Sequence, residues 1–182
     1  MGIKIVVMSL FSLVLSNYAE HSKGFNVVLN NCKTKEIKSR LLEFQKGGVE
    51  KKTFDYDIEK VIAYAESFLG TKHKMGGTDK KGIDCSGLVF TTHSKFAVQL
   101  ARSSQEQARY GKVIPTFDEL QRGDLVFYYN SYKTSNFITH TGIYLGKGKF
   151  IHTSSSKGVV ISNVNDKYYW GERFLFGTRL KE

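Results

Sequence analysis

Apolar residues recur at helical spacing in Ile58, Val61, Ile62, Ala65, Phe68 and Leu69, a stripe on a helix that opens after Asp57 and stops at Gly70. A second helix is predicted to begin at Cys85, where Asp84 is a good N-cap and Leu88, Val89, Phe96 and Leu100 continue the apolar spacing. A shorter helical piece follows around Ser103 to Tyr110. Beyond it come strand candidates at Leu125–Tyr129, Phe137–Leu145, Lys149–Thr153, Gly158–Ser162 and Arg173–Arg179. Helices first and strands later describe an α+β domain with an antiparallel sheet.

The first residues follow another logic. Lys4 precedes the apolar run Ile5 to Leu15, which is too short to cross a bilayer comfortably and gives way to polar residues, so residues 1–19 read as an export signal with cleavage after Ala19. A retained membrane anchor is the alternative. Residues 20–56 lack a long apolar period. Between Lys33 and Lys52 they carry seven basic side chains against Glu36, Glu43 and Glu50, a basic tether or partly helical arm suited to anionic envelope polymers. Residues 57–182 then form the single domain. A chain of 182 residues with 41% hydrophobic content and one proline has enough apolar surface for a real core. Its formal charge of +10 does not by itself mean nucleic acid, because export and the lack of a binding motif weigh against that partner.

Three residues carry the chemistry. Cys85 at a helix start lies in the positive end of the helix dipole, which lowers a thiol pKa and predicts an activated nucleophile. Alternation puts His140 on one face with Ile138 and Tyr144, and His152 on one face with Phe150. A hairpin folding at Gly146-Lys147-Gly148 makes the two imidazoles directly opposite or diagonal neighbours, within hydrogen-bonding reach. Nucleophile, base and orienter are thereby present by role. The same three side chains are conceivable zinc ligands, but nucleophilic catalysis needs no metal or other cofactor, and none is expected. A Cys32–Cys85 disulfide would consume the nucleophile, so Cys32 is read as a free thiol; Leu29-Asn30-Asn31-Cys32 is also a weak lipoprotein-like sequence that leaves lipid attachment open.

The segments Gly76-Gly77, Asp84-Cys85-Ser86-Gly87-Leu88-Val89, Arg102-Ser103-Ser104-Gln105, Gln121-Arg122-Gly123-Asp124-Leu125-Val126-Phe127, His140-Thr141-Gly142-Ile143-Tyr144 and Phe150-Ile151-His152 resemble, in order, the signatures of NlpC-type cell-wall cysteine peptidases. The resemblance runs from about Asp57 to Leu180. It implies a papain-like α+β fold with helices packed on a central antiparallel sheet, and hydrolysis of peptidoglycan stem peptides, at the bond from γ-D-glutamate to a diamino acid or at crosslinks. It also implies Cys85 as nucleophile, His140 as general base and His152 as the polar third residue. One position departs from the pattern: the family usually has a tyrosine upstream of the paired glycines, and here that place falls on His73. An imidazole N–H there can still donate to an oxyanion, with a charge that varies with pH.

Less specific expectations complete the picture. By resemblance Arg102 and Ser103 belong to the groove wall, although capping explains Ser103 equally well. Asp84 and Ser86 are candidates to bind an amine or amide of the stem peptide, with helix capping the other role for Asp84. The expected protein is an exported monomer of the bacterial envelope, associated with membrane only peripherally or through lipid. An amidase, a lipid acyltransferase of similar fold and a catalytically silent wall-binding protein remain the alternative functions.

Overall fold

The computed structural model describes residues 23–48 and 54–181, so the export signal read over residues 1–19 lies outside the described residues. Among the described residues, no helix is long and apolar enough to cross a membrane.

The basic arm packs. Residues 23–30 form helix α1 and Lys35–Lys46 form α2, capped by Thr34, whose side chain accepts the N–H of Ile37. Phe25, Val28 and Leu29 of α1 and Leu41 and Phe44 of α2 are buried in the main core. The Phe25 ring meets the edge of Phe176 at 5.7 Å and stacks on Phe44 at 6.2 Å. Arg109 clamps the end of the arm, donating to the carbonyls of Phe44 and Gly48 while its guanidinium lies 4.3 Å from the Phe44 ring centroid.

Helix α3, Ile58–Glu66, follows its periodicity. The Asp57 carboxylate caps it by accepting the N–H groups of Glu59 and Lys60, and Val61, Ile62 and Ala65 turn inward. The two-residue strands β1, Thr78–Asp79, and β2, Gly82–Ile83, make a small hairpin ahead of α4, Cys85–Ser94. This helix starts where the sequence places it but stops short of Phe96 and Leu100. Ala97 has φ +61°, and the N–H of Val98 turns back to the carbonyl of His93, so the two apolar residues join the core from outside the helix. Helix α5, Ser104–Gln107, is a single turn.

The six-stranded sheet is antiparallel throughout, in the order β3-β8-β4-β5-β6-β7. Its strands are β3 (Lys112–Ile114), β4 (Leu125–Tyr129), β5 (Ile138–Gly146), β6 (Lys149–Ser154), β7 (Gly158–Asn163) and β8 (Phe174–Arg179). The five strands expected from the sequence appear with ends shifted by at most one residue, and β3 is the addition. Alternation along β4 sends Leu125 and Phe127 to the core shared with the helices, and Val126 and Tyr128 to a second cluster with Tyr144 and Phe150. A register shift where Tyr128 faces His140 and Tyr129 faces Ile138 breaks the expected alternation on β5, so Ile138 and Tyr144 enter different clusters. Such a bulge re-aims the strand next to it. Helices packed on one central antiparallel sheet make the α+β arrangement that the sequence leads one to expect.

Phe25 provides a test of whether the arm belongs to the cooperative unit. Phe25→Ala removes a ring that is 1% exposed and is expected to destabilise the protein by about 3–5 kcal/mol in urea denaturation. A loss below about 1 kcal/mol would place α1 outside the folding unit.

Candidate active site

Cys85 is the first residue of α4, and the residue before it organises its surroundings. Asp84 Oδ1 accepts the N–H of Gly87 at 2.7 Å, the hydroxyl of Ser86 at 3.3 Å and Nη1 of Arg102 at 2.9 Å. Its Oδ2 accepts the N–H of Gly76 at 2.6 Å and Nη2 of Arg102 at 2.8 Å. Arg102 donates onward to the Gly77 carbonyl and to Ser86 Oγ. Close approach is required here: a Cβ on Gly87 would lie 2.2 Å from the Gly77 carbonyl oxygen, so only glycine lets the loop lie against the helix. From the other side Thr153 Oγ1 donates to the Asp84 carbonyl, tying the helix start to β6.

The hairpin β5–β6 brings the imidazoles together. Gly146, Lys147 and Gly148 all have positive φ, and the register pairs Ile143 with Ile151 and Tyr144 with Phe150. His140 Nε2 and His152 Nδ1 lie 3.0 Å apart, and both residues are buried. The other ring nitrogen of His152 lies 3.0 Å from Ser162 Oγ on β7. Rings enclose the pair: Phe150 stacks on His152 at 4.5 Å, and Trp170 lies 4.7 Å from His140 and 4.8 Å from His152. Trp170 opens the one-turn helix α6, Trp170–Arg173.

A cleft of about 580 Å³ opens over these groups, and Cys85, His140, His152, His73, Asp84 and Ser86 all line it. Arg102 and Ser103 do not. Arg102 is occupied with Asp84, and Ser103 caps α5 by accepting the N–H of Glu106. Ser154, Ser155 and Ser156, with Lys157, also line it. Sequence reasoning missed Ser162, Trp170 and Tyr132, which also face the cleft. Ser162 was within reach of the alternation rule, since β7 pairs with β6 so that Phe150 faces Ser162, diagonal to His152. Trp170 is the sole tryptophan of the chain but gives no local signal of where it packs.

Burial controls the electrostatics. The Cys85 thiol is pushed up to about 11 by desolvation and then by the Asp84 charge, against the opposing pull of backbone N–H groups at Thr141, Ser86 and Cys85. The activated thiol expected from the helix start is therefore not the resting state; the dipole is present, but the closed surroundings outweigh it. Desolvation also holds His152 down to about 4 and, with the neighbouring His152 and His73, holds His140 well below its ordinary value of 6.5. Burial thus favours the neutral form of the thiol and of both imidazoles. Cys32, the other cysteine, is a free thiol whose Sγ donates to the Val28 carbonyl. Among the described residues no group of three or more His, Cys, Asp or Glu side chains is arranged to hold a metal ion.

The NlpC/P60 family model matches residues 70–179. The chain is 41% identical over 112 residues to the murein DD-endopeptidase MepS/murein LD-carboxypeptidase of Escherichia coli (strain K12), covering 61% of this chain and 56% of that protein. It is 33% identical over 127 residues to the gamma-DL-glutamyl hydrolase of Bacillus subtilis (strain 168), covering 69% of this chain and 30% of that protein. A crystal structure of an NlpC/P60 family protein from Bacillus cereus ATCC 10987 matches with a TM-score of 0.62 at 28% identity, over 70% of this chain and 41% of that one. The chain thus spans just over half the length of the first relative and under a third of the second.

The depressed histidines fix how stability varies with pH. In the unfolded chain each imidazole takes up a proton near 6.5, whereas His93 and His152 stay neutral in the fold down to about 4, and His140 stays neutral well below 6.5. The unfolded state therefore binds more protons across that window, and stability falls as the pH drops through it. The urea midpoint is expected to be lower at pH 5.5 than at pH 7.5. A midpoint that is unchanged or higher at pH 5.5 would contradict the buried neutral histidines.

Proposed function

The chain belongs to the NlpC/P60 family, and from that premise we propose that it is a peptidoglycan endopeptidase that hydrolyses stem peptides through a thioester on Cys85. The observation that carries the reading is the meeting, in one cleft, of a helix-start cysteine with two hydrogen-bonded buried imidazoles. A stem peptide in the cleft presents its carbonyl carbon to Sγ. Because the resting thiol is neutral, its proton passes to His140 as the C–S bond forms, which is general-base catalysis rather than attack by a standing thiolate. His152 bonds the Nε2 side of His140, and the Nδ1 side is left for the proton.

The negative charge that develops on the carbonyl oxygen needs donors. The backbone N–H of Cys85 at the start of α4 is one, and His73 across the cleft is the second. Protonated His140 then delivers its proton to the leaving amine, and a water activated by the same ring hydrolyses the thioester. The bond is read as γ-D-glutamyl to a diamino acid, supported by the resemblance in sequence and by the relative named gamma-DL-glutamyl hydrolase. The relative named murein DD-endopeptidase makes the peptide crosslink the competing bond. Ser86 and the serine wall of the cleft supply hydroxyls to hold the amides of the stem. Asp84 does not serve as a free carboxylate for an amine, since its oxygens are already engaged by Arg102 and two backbone N–H groups. Its part is to cap and brace the nucleophile helix. Such a substrate places the enzyme in the bacterial envelope.

Digestion of purified peptidoglycan, with products identified by mass, tests the reading. Fragments split within the stem are expected, with a new amine on the diamino acid if the γ-glutamyl bond is cut and uncrosslinked stems if the crosslink is cut. Release of whole stems from the glycan would mean an amidase, and no product at all would mean a binding protein or an acyltransferase acting elsewhere. Cys85→Ala and His140→Ala should each abolish turnover, and the double change should cost little more than either alone, because they act as one unit. His73→Ala should lower kcat by roughly 10²-fold, the scale of one oxyanion donor, and His73→Tyr should restore much of it. Full kcat in His73→Ala would remove His73 from the mechanism.

A further inference from the structure

We propose that Ser162 is a positioning residue of this site, whose hydroxyl supplies the acceptor that the Nε2–H tautomer of His152 needs and thereby leaves Nδ1 of His140 free to take a proton. The inference rests on the reading of Cys85 and His140 as nucleophile and base. Three groups lie in line: His140 Nε2 is 3.0 Å from His152 Nδ1, and His152 Nε2 is 3.0 Å from Ser162 Oγ. Only one hydrogen fits between the two imidazoles. If it belongs to His140 Nε2, then Nδ1 of that neutral ring is bare and can accept the thiol proton. His152 Nδ1 is then also bare, and the hydrogen of neutral His152 sits on Nε2, where Ser162 Oγ accepts it.

The reverse arrangement disables the site. A hydrogen on His152 Nδ1 leaves His140 Nε2 bare, so the neutral His140 ring carries its hydrogen on Nδ1, and that nitrogen has no free lone pair to take the thiol proton. Ser162 makes the productive form accessible, because His152 is 1% exposed and an Nε2–H there without an acceptor would bear the cost of a buried unpaired donor. The contact also resists a ring flip. Phe150 lies nearly parallel to His152, with 13° between the ring planes, and pairs with Ser162 across the β6–β7 ladder, so ring and hydroxyl are held by the same pair of strands. No other side chain is hydrogen-bonded to His152 Nε2 among the described residues.

Nitrogen-15 correlation spectra of the labelled full-length protein read the tautomers directly. The wild type is expected to show both His140 and His152 in the Nε2–H form at pH 7. Ser162→Ala should shift His152 toward a mixture of tautomers and lower kcat about tenfold with KM unchanged, the scale of one hydrogen bond to a ring whose partner becomes charged. Ser162→Thr keeps the hydroxyl and should retain both the spectrum and the rate. Wild-type spectra with His152 in the Nδ1–H form would overturn the proposal, as would a folded Ser162→Ala protein with unchanged tautomers and rate. The spectra do not depend on turnover, so they decide the matter even if the protein proves inactive on peptidoglycan, and the wild-type spectrum decides it if Ser162→Ala does not fold.

Discussion

The carboxylate of Asp84 is the point on which the site is built. Five hydrogen bonds end on its two oxygens, from Gly76, Gly87, Ser86 and both terminal nitrogens of Arg102. Through them the loop before the nucleophile, the first turn of its helix and the segment that leads to α5 are held as one body. With the Asp84 side chain buried, removing Arg102 would leave polar oxygens short of partners away from water, which is costly. The close approach at Gly87 follows from the same convergence, because loop and helix share this one acceptor.

That architecture has an electrostatic consequence. Burial first, and then the negative charge that braces the helix, raise the thiol pKa, while burial lowers those of both imidazoles. Geometry and acidity thus pull in opposite directions. A cleft open enough to stabilise a thiolate would not hold Trp170 and Phe150 against the histidines. Such a site is neutral at rest, and charge separates only when substrate brings an electrophile and the oxyanion donors have a charge to meet. Low dielectric then strengthens each of those contacts.

The legible part of the chain was the part governed by local period. Leu125–Tyr129 is apolar at every position because the sheet is covered on both faces, and the glycines on either side of Lys147 mark the turn that sets His140 near His152. Asp84 announced a helix start from one residue type. What escaped depends on distant partners. Phe25 and Phe44 give no long stripe in two short helices, yet they pack on Phe176, far along the chain. Leu100 continues the helical spacing of α4 but is buried by a different route, after the chain turns at Ala97. The acidity of Cys85 could not be read from a helix start alone, since it is set by strands β5 and β6 closing over it. Trp170 and Ser162 acquire meaning only once β7 and α6 are placed beside the histidines.

The neutral resting state is the claim on which this mechanism turns, and the pH dependence of Cys85 alkylation tests it most directly. In a Cys32→Ser protein, where Cys85 is the remaining thiol, the rate of reaction with iodoacetamide follows the fraction of thiolate. The account predicts a rate that climbs about tenfold per pH unit from pH 6 to beyond pH 9, without a plateau, as for a thiol titrating near 11. A rate already level between pH 5 and pH 8 would reveal a standing thiolate–imidazolium pair and contradict it.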